Sequence, residues 1–265
     1  MPDKPYYQDD AVLIYHTDCR DILPLFPDKS IDLVLTSPPY FNAAKEVIEF
    51  NSYEDYLVWL DSFWLPITKV LVENGRLVVN VAAGYNHSPW LPLSVDITKQ
   101  IQNYLDLRGQ VIWDKGQQNA GQTAWGSWMS PSNPAFRERH EVIIVASKGL
   151  GSIQGDGKDI LREEFLLGTQ SVFRLNAETR SQHPTPFPEM LPARFVKLLT
   201  FKDSMILDPF LGSGTTAFCG KKLGRKCIGI EIEERYCEIA AKRCSQLVMQ
   251  LEEPSTNSVK QTNLL

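Results

Sequence analysis

Two short apolar runs in this chain end in turns that backbone chemistry imposes. Ile31-Asp32-Leu33-Val34-Leu35-Thr36 reads as a buried strand cut off by Ser37-Pro38-Pro39-Tyr40, because proline has no N–H to give to a central ladder. Ser204 to Asp208 reads as a second strand, followed by Phe210-Leu211-Gly212-Ser213-Gly214-Thr215-Thr216, a glycine turn leading into a helix. Strand-like and helix-like segments alternate around them. One helix is predicted over 53–73 from apolar residues at three- and four-residue steps, with Ser52 and Asp55 to cap its start and Asn74-Gly75 to stop it. Further strands are predicted over 76–82, 110–113, 140–146 and 226–231, and further helices over 95–107, up to about 201, up to about 223 and after 231. Alternation throughout predicts an α/β fold with three αβα layers and a largely parallel sheet.

Length and composition narrow the class. A chain of 265 residues, 43% hydrophobic and 22% charged, is one large domain or one domain with an insertion, and is neither collagen-like, disordered nor a disulfide scaffold. No apolar run reaches the roughly 18 residues a membrane span needs, and the first ten residues are polar and acidic, so a soluble, unexported, cytoplasmic chain is expected. Five cysteines with no Cys-x-x-Cys pair fit free thiols, and Cys19, Cys219, Cys227, Cys237 and Cys244 are assigned to packing with no metal. The net charge of −5 hides a modest basic excess over residues 108–202, with 12 Lys and Arg against 9 Asp and Glu. That third holds two long stretches without periodicity, 114–138 with Trp125, Trp128 and Phe136, and 149–182 with several glycines. The expected organisation is a catalytic domain over 1–253, carrying a mobile loop at 114–138 and an insertion at 149–182, and a polar tail at 254–265.

The chemistry sits at the two turns. In a strand-to-helix turn of the form Gly-x-Gly-x-x-Ala, the first glycine makes the bend, the second lets a ligand approach, and the helix start offers free N–H groups. Glu231 ends the next strand 19 residues after Gly212, where a carboxylate can accept the two hydroxyls of a ribose. An adenosine ligand is implied, either a dinucleotide or a nucleoside such as S-adenosylmethionine. At the other turn, two prolines remove two donors and leave the preceding carbonyls needing partners. The exocyclic amine of a flipped base supplies them, with Tyr40 as a flat face for the ring.

These residues resemble the amino-group DNA methyltransferases, S-adenosylmethionine enzymes that methylate cytosine N4 or adenine N6. The similarity covers most of residues 12–245. Thr36-Ser37-Pro38-Pro39-Tyr40 is similar to their catalytic motif, Asp208-Pro209-Phe210-x-Gly212-Ser213-Gly214-Thr215-Thr216 to their cofactor loop, and Gly229-Ile230-Glu231 to their ribose-binding strand end. His183-Pro184-Thr185-Pro186-Phe187-Pro188 resembles the segment at the cofactor's methionine end, and His16-Thr17-Asp18-Cys19 the stretch near its adenine. Catalytic motif before cofactor loop is the permuted order of the family's beta group. Ser37 at the first motif position, Pro-Phe-Pro after Thr185 and the Trp-Gly-Ser-Trp loop at 125–128 resemble the cytosine-N4 branch; adenine N6 is the alternative base, and a dinucleotide-dependent oxidoreductase the alternative class.

The resemblance implies a seven-stranded, Rossmann-like methyltransferase sheet and a restriction-modification type of enzyme in a prokaryotic, nucleoid-associated setting. It implies double-stranded DNA as partner, and leaves a homodimer and a cognate restriction enzyme open. Catalytic roles fall to Ser37, Pro38, Pro39 and Tyr40, and cofactor contacts to Asp18, Cys19, Thr185, Asp208, Phe210, Gly212, Ser213, Gly214, Thr215, Thr216 and Glu231. The methyl on a sulfonium is already activated, so alignment is the main task, and hydrogen bonds from the target amine to Ser37 and Pro38 favour a nucleophilic nitrogen as it develops. No Pro-Cys motif is present, in keeping with transfer that needs no covalent intermediate. DNA contacts are expected from Trp125, Trp128 and Arg137 in the first loop and from Lys158, Arg162, Arg174 and Arg180 in the second, where the family reads its target. For each of those arginines taken alone a solvated surface charge is the favoured reading, and the tryptophans can equally be core. Glu141 is a candidate orienting group or a strand-end charge, His183 a substrate contact or a turn cap, and His16 structural.

Overall fold

The computed structural model describes residues 4–41, 50–85, 89–116, 126–136, 138–156, 159–176 and 188–251, the side chains of 247–251 excepted. Nine strands run in chain order as β1 (Tyr7–Gln8), β2 (Val12–His16), β3 (Ile31–Thr36), β4 (Leu71–Ala82), β5 (Asp106–Asp114), β6 (His140–Ser147), β7 (Val172–Arg174), β8 (Met205–Asp208) and β9 (Lys226–Glu231). They form one sheet in the order β1-β2-β9-β8-β3-β4-β6-β5-β7. Pairing is parallel from β2 through β9, β8 and β3 to β4, antiparallel at β4–β6, β6–β5 and β1–β2, and parallel again at β5–β7. The sheet is thus mostly parallel as expected, but with nine strands in place of seven. The two extra strands are the outermost ones, two and three residues long, too short for a period-two pattern to stand out in sequence.

The helices are α1 (Cys19–Ile22), α2 (Tyr53–Asp61), α3 (Trp64–Val70), α4 (Leu93–Gln102), α5 (Arg162–Gly168), α6 (Met190–Leu199), α7 (Thr215–Lys222) and α8 (Glu234–Leu251). They cover both faces. Tyr56, Leu60, Trp64, Ile67, Leu93, Ile97 and Ile101 of α2 to α4 pack on one face with Val34, Leu77, Val79 and Val81. Leu191, Phe195, Ala217, Cys237, Ala240 and Cys244 of α6 to α8 pack on the other with Leu33, Leu35, Val78 and Ile143. Successive strand residues thereby feed opposite cores, as strand geometry requires. Each large side chain so withdrawn from water contributes about 1.5–3 kcal/mol. All five cysteines are buried, and no helix among the described residues is long and apolar enough to cross a membrane.

The helix expected over 53–73 is two helices. Ser52 caps its start as read, its Oγ accepting from the Asp55 N–H at 3.0 Å. Pro66, however, lacks an N–H and its ring crowds the preceding turn, so the chain breaks after Asp61 and restarts at Trp64. Asn74-Gly75 is no helix stop. It lies inside β4, where Asn74 takes a left-handed φ of +63° and the register against β3 shifts between Ile31 and Leu33. The stretch 149–182 is also more ordered than its glycines suggest, since α5 and β7 fall inside it. Arg225, at the lower end of β9, is 1% exposed and forms a two-pronged ion pair with Asp159, its other N–H groups going to Thr200 and to the Leu223 main-chain oxygen. That clamp fixes the start of the insertion to the end of the sheet opposite Asp208 and Glu231.

Candidate active site

Topology brings the two turns together. β3 and β8 are neighbours, with Leu33 opposite Ile206 and Val34 opposite Leu207, so their carboxyl ends open side by side at the place where parallel sheets bind ligands. The junction is a direct bond: the Thr36 hydroxyl donates to Asp208 Oδ1 at 2.7 Å, across 172 residues of sequence. Asp208 also accepts from the Phe210 N–H at 3.1 Å. Burial pushes its pKa up to about 6, against the pull of the Thr216 and Thr36 hydroxyls and the Phe210 amide, while Glu231 adds to the rise.

On the cofactor side, the glycine turn is held by Glu231. Its Oε2 accepts from Gly212 N–H at 2.8 Å and its Oε1 from Glu233 N–H at 2.9 Å, with the Ile232 amide as a third backbone donor; the acceptor capacity that remains is open to a ligand hydroxyl. Burial raises the pKa of this carboxyl too. Gly212 has a φ of +54° and makes the bend as expected. Gly214 also has a packing duty: its φ is +82°, and a Cβ there would meet the Ala240 Cβ at 2.6 Å, so the missing side chain admits α8. Ser213, Thr215 and Thr216 are buried with the turn, and the Thr215 hydroxyl receives Arg243 at 3.0 Å. Phe210 packs edge-on against Phe63, with ring centres 5.1 Å apart, and leans on Trp59. β2 pairs with β9 so that His16 lies opposite Glu231, which carries Asp18 and Cys19 to the same edge. Asp18 caps α1 and is engaged by Arg20, and Cys19 is buried.

On the catalytic side, Pro38 is buried while Ser37, Pro39 and Tyr40 are partly exposed. The Ser37 hydroxyl donates to the Asn80 main-chain oxygen at 3.0 Å. Tyr40 turns its hydroxyl inward, where burial and the Glu141 charge push the phenol well above its ordinary value. Asn80 Nδ2 donates to Glu141 Oε2 at 2.5 Å and lies 3.4 Å from the Tyr40 oxygen. Lys115 closes the line with an ion pair to Glu141. Of these, Thr36, Asn80 and Lys115 were not marked as site residues from sequence. Asn80 had a signal, as the lone amide in the run Leu77-Val78-Val79-Asn80-Val81-Ala82.

The DNA-contact candidates are spread out. Trp128 is 64% exposed at the tip of a braced turn, in which Gly126 bridges to Pro134 and Ser127 N–H donates to the Asn133 oxygen at 2.8 Å. Arg174 ends the outermost strand β7 and pairs with Asp114; four strand spacings put it about 19 Å from β3. Arg162 starts α5, just past the Asp159 clamp, at the end of the sheet away from the two turns. Trp125, Arg137, Lys158, Arg180, Thr185 and His183 lie outside the described residues.

Comparison with known proteins agrees with this geometry. A family model described as DNA methylase, of the N6/N4 type, matches residues 31–242. The type II methyltransferase M.ScaI of Streptomyces caespitosus is 31% identical over 91% of this chain and 83% of its own length. M2.LlaDCHI of Lactococcus lactis subsp. cremoris is 27% identical over 92% and 93%. Among solved structures, a DNA modification methylase of Thermus thermophilus, TTHA0409, in complex with S-adenosyl-L-methionine superposes with a TM-score of 0.73 at 27% identity, covering 89% of this chain and 95% of that one. The PvuII cytosine-N4-specific DNA methyltransferase shares the fold at a TM-score of 0.74 and 22% identity, over 91% and 89%.

Proposed function

Since the chain belongs to the amino-group DNA methylase family, we propose that it transfers a methyl from S-adenosylmethionine to the exocyclic N4 of a cytosine flipped out of double-stranded DNA. The observation that carries this reading is the Thr36–Asp208 bond, which ties the turn for the base to the turn for the cofactor at adjoining strand ends. The glycine turn alone also fits a dinucleotide, but Asp208 and Glu231 put two carboxylates there, a setting suited to a cationic ligand and hostile to a pyrophosphate.

The cofactor supplies a methyl already activated on its sulfonium. Glu231 offers its remaining acceptor capacity to the ribose hydroxyls, and the Asp208 carboxylate lends negative charge beside the cationic ligand. Ser37 gives its one hydroxyl proton to the Asn80 carbonyl, so its oxygen faces a substrate only as an acceptor. With the Pro38 carbonyl it forms a pair of acceptors, which fits an NH2 group and repels a keto oxygen. Tyr40 supplies a ring face for stacking, worth about 1–3 kcal/mol toward the unstacking cost. Ser37 in place of an acidic or amide residue favours cytosine over adenine. Trp128 and Arg174 are proposed to meet the duplex, and Trp125, Arg137, Lys158 and Arg180 belong to the same DNA-facing set, as Thr185 belongs to the cofactor set.

The test is to incubate the protein with DNA and labelled S-adenosylmethionine and to identify the modified nucleoside by mass spectrometry. N4-methylcytosine is expected. N6-methyladenine overturns the base assignment, and no incorporation into DNA overturns the activity.

A further inference from the structure

Under the Ser37–Tyr40 turn runs a line of buried polar groups that packing does not require. Asn80 is 2% and Glu141 7% exposed, on adjacent strands β4 and β6 in the midst of apolar neighbours. Two apolar residues of similar size would serve the sheet as well or better, because buried ionic and amide groups rarely offset their desolvation. The arrangement also leaves one group stranded. A carboxylate only accepts, so Asn80 must turn Nδ2 to Glu141, and its Oδ1 is then buried with no partner among the described residues. Such a group costs about 1–3 kcal/mol.

What the line achieves is visible at the turn. Asn80 touches both of its ends: its main-chain oxygen takes the Ser37 proton, and its amide nitrogen reaches the Tyr40 oxygen. Glu141 decides which way the amide faces, and Lys115 neutralises Glu141 from β5's end. The geometry points to Glu141, with Lys115, as a positioning residue of methyl transfer, holding the Tyr40 hydroxyl both directly and through the Asn80 amide so that the Tyr40 ring keeps one plane beside Ser37. Neither residue touches the reacting atoms. The inference rests on the transfer reaction proposed above.

Three variants test it: Glu141→Gln, Lys115→Met and the double variant. In Glu141→Gln the single amide oxygen is contested by Lys115 and Asn80, so Asn80 loses its anchor. The single-turnover transfer rate is expected to fall about 30- to 100-fold, the range a misplaced reacting group costs. S-adenosylhomocysteine affinity, DNA affinity and melting temperature should stay near wild type, so kcat falls while both KM values hold. Lys115→Met alone strands the carboxylate and is also slow. The double variant removes the competitor and frees the introduced glutamine oxygen for Asn80, so it is expected to recover about tenfold over Glu141→Gln. A purely structural role predicts the opposite, since its losses add. The proposal is overturned by a wild-type rate in Glu141→Gln, by a double variant slower than either single one, or by rate and cofactor affinity falling together. Absence of any transfer by the wild-type protein would instead sink the reading beneath it.

Discussion

Replacing Asp208 with Asn should make the protein more stable at neutral pH and worse at binding its cofactor. Asp208 is 2% exposed, and burial pushes its pKa from an ordinary 3.8 to about 6. The native state therefore holds this proton more tightly than the unfolded chain. Stability from this group is full below pH 4, declines as pH rises between 4 and 6, and stays low above. A rise of that size corresponds to about 3 kcal/mol at neutral pH. Between pH 7.5 and pH 5 the wild type should regain about 1.4 kcal/mol of it, or about 3 °C in Tm for a chain of this length. The substituted amide would still accept from Thr36 and the Phe210 N–H, yet carries no charge to titrate. Thermal melts of both proteins at half-unit steps from pH 5 to 7.5 should therefore converge toward acid, with the variant ahead at the alkaline end. Calorimetry should show S-adenosylmethionine affinity at least about tenfold weaker in the variant, function lost as stability is gained. Melting curves that run parallel across the whole range would falsify the assignment of a buried, titrating carboxylate at this position.

Other substitutions address other joints. Thr36→Val removes the hydroxyl that Asp208 accepts from and leaves a buried acceptor short; a loss of about 1–3 kcal/mol is expected by chemical denaturation, with Thr36→Ser restoring most of it. Gly214→Ala forces a Cβ against Ala240 at a φ of +82°, and should cost about 2–4 kcal/mol and weaken cofactor binding. Asp159→Asn breaks the pair with the buried Arg225 guanidinium; about 3 kcal/mol should be lost in urea unfolding, while transfer activity of the folded fraction stays within about twofold.

The layout of this site was legible where local chemistry is unambiguous. Pro38 and Pro39 could only end a strand, Gly212 could only make the bend, and the 19-residue step to Glu231 placed the carboxylate that now holds the Gly212 amide. Errors arose where tertiary contacts decide. The packing duty of Gly214 stayed hidden, because nothing in its neighbourhood along the chain announces Ala240. Pro66 was visible, but the apolar spacing on either side concealed the break it causes. The Tyr40–Asn80–Glu141–Lys115 line joins residues from four separate segments, so only Glu141 and Asn80 carried any trace of it, each as a polar residue in an apolar run.

The adjacency of β3 and β8 bears on how the protein comes into being. The Ser37–Tyr40 turn follows β3, but the neighbouring strand β8 comes about 170 residues later in the chain. Until β8 leaves the ribosome, β3 has a bare edge of unpaired N–H and C=O groups flanked by apolar side chains, the kind of surface on which chains aggregate. The nascent protein thus cannot modify DNA, and must be shielded, until β8 has emerged. Supplying the missing carboxyl-terminal piece as a separate polypeptide should both cover that edge and switch the centre on.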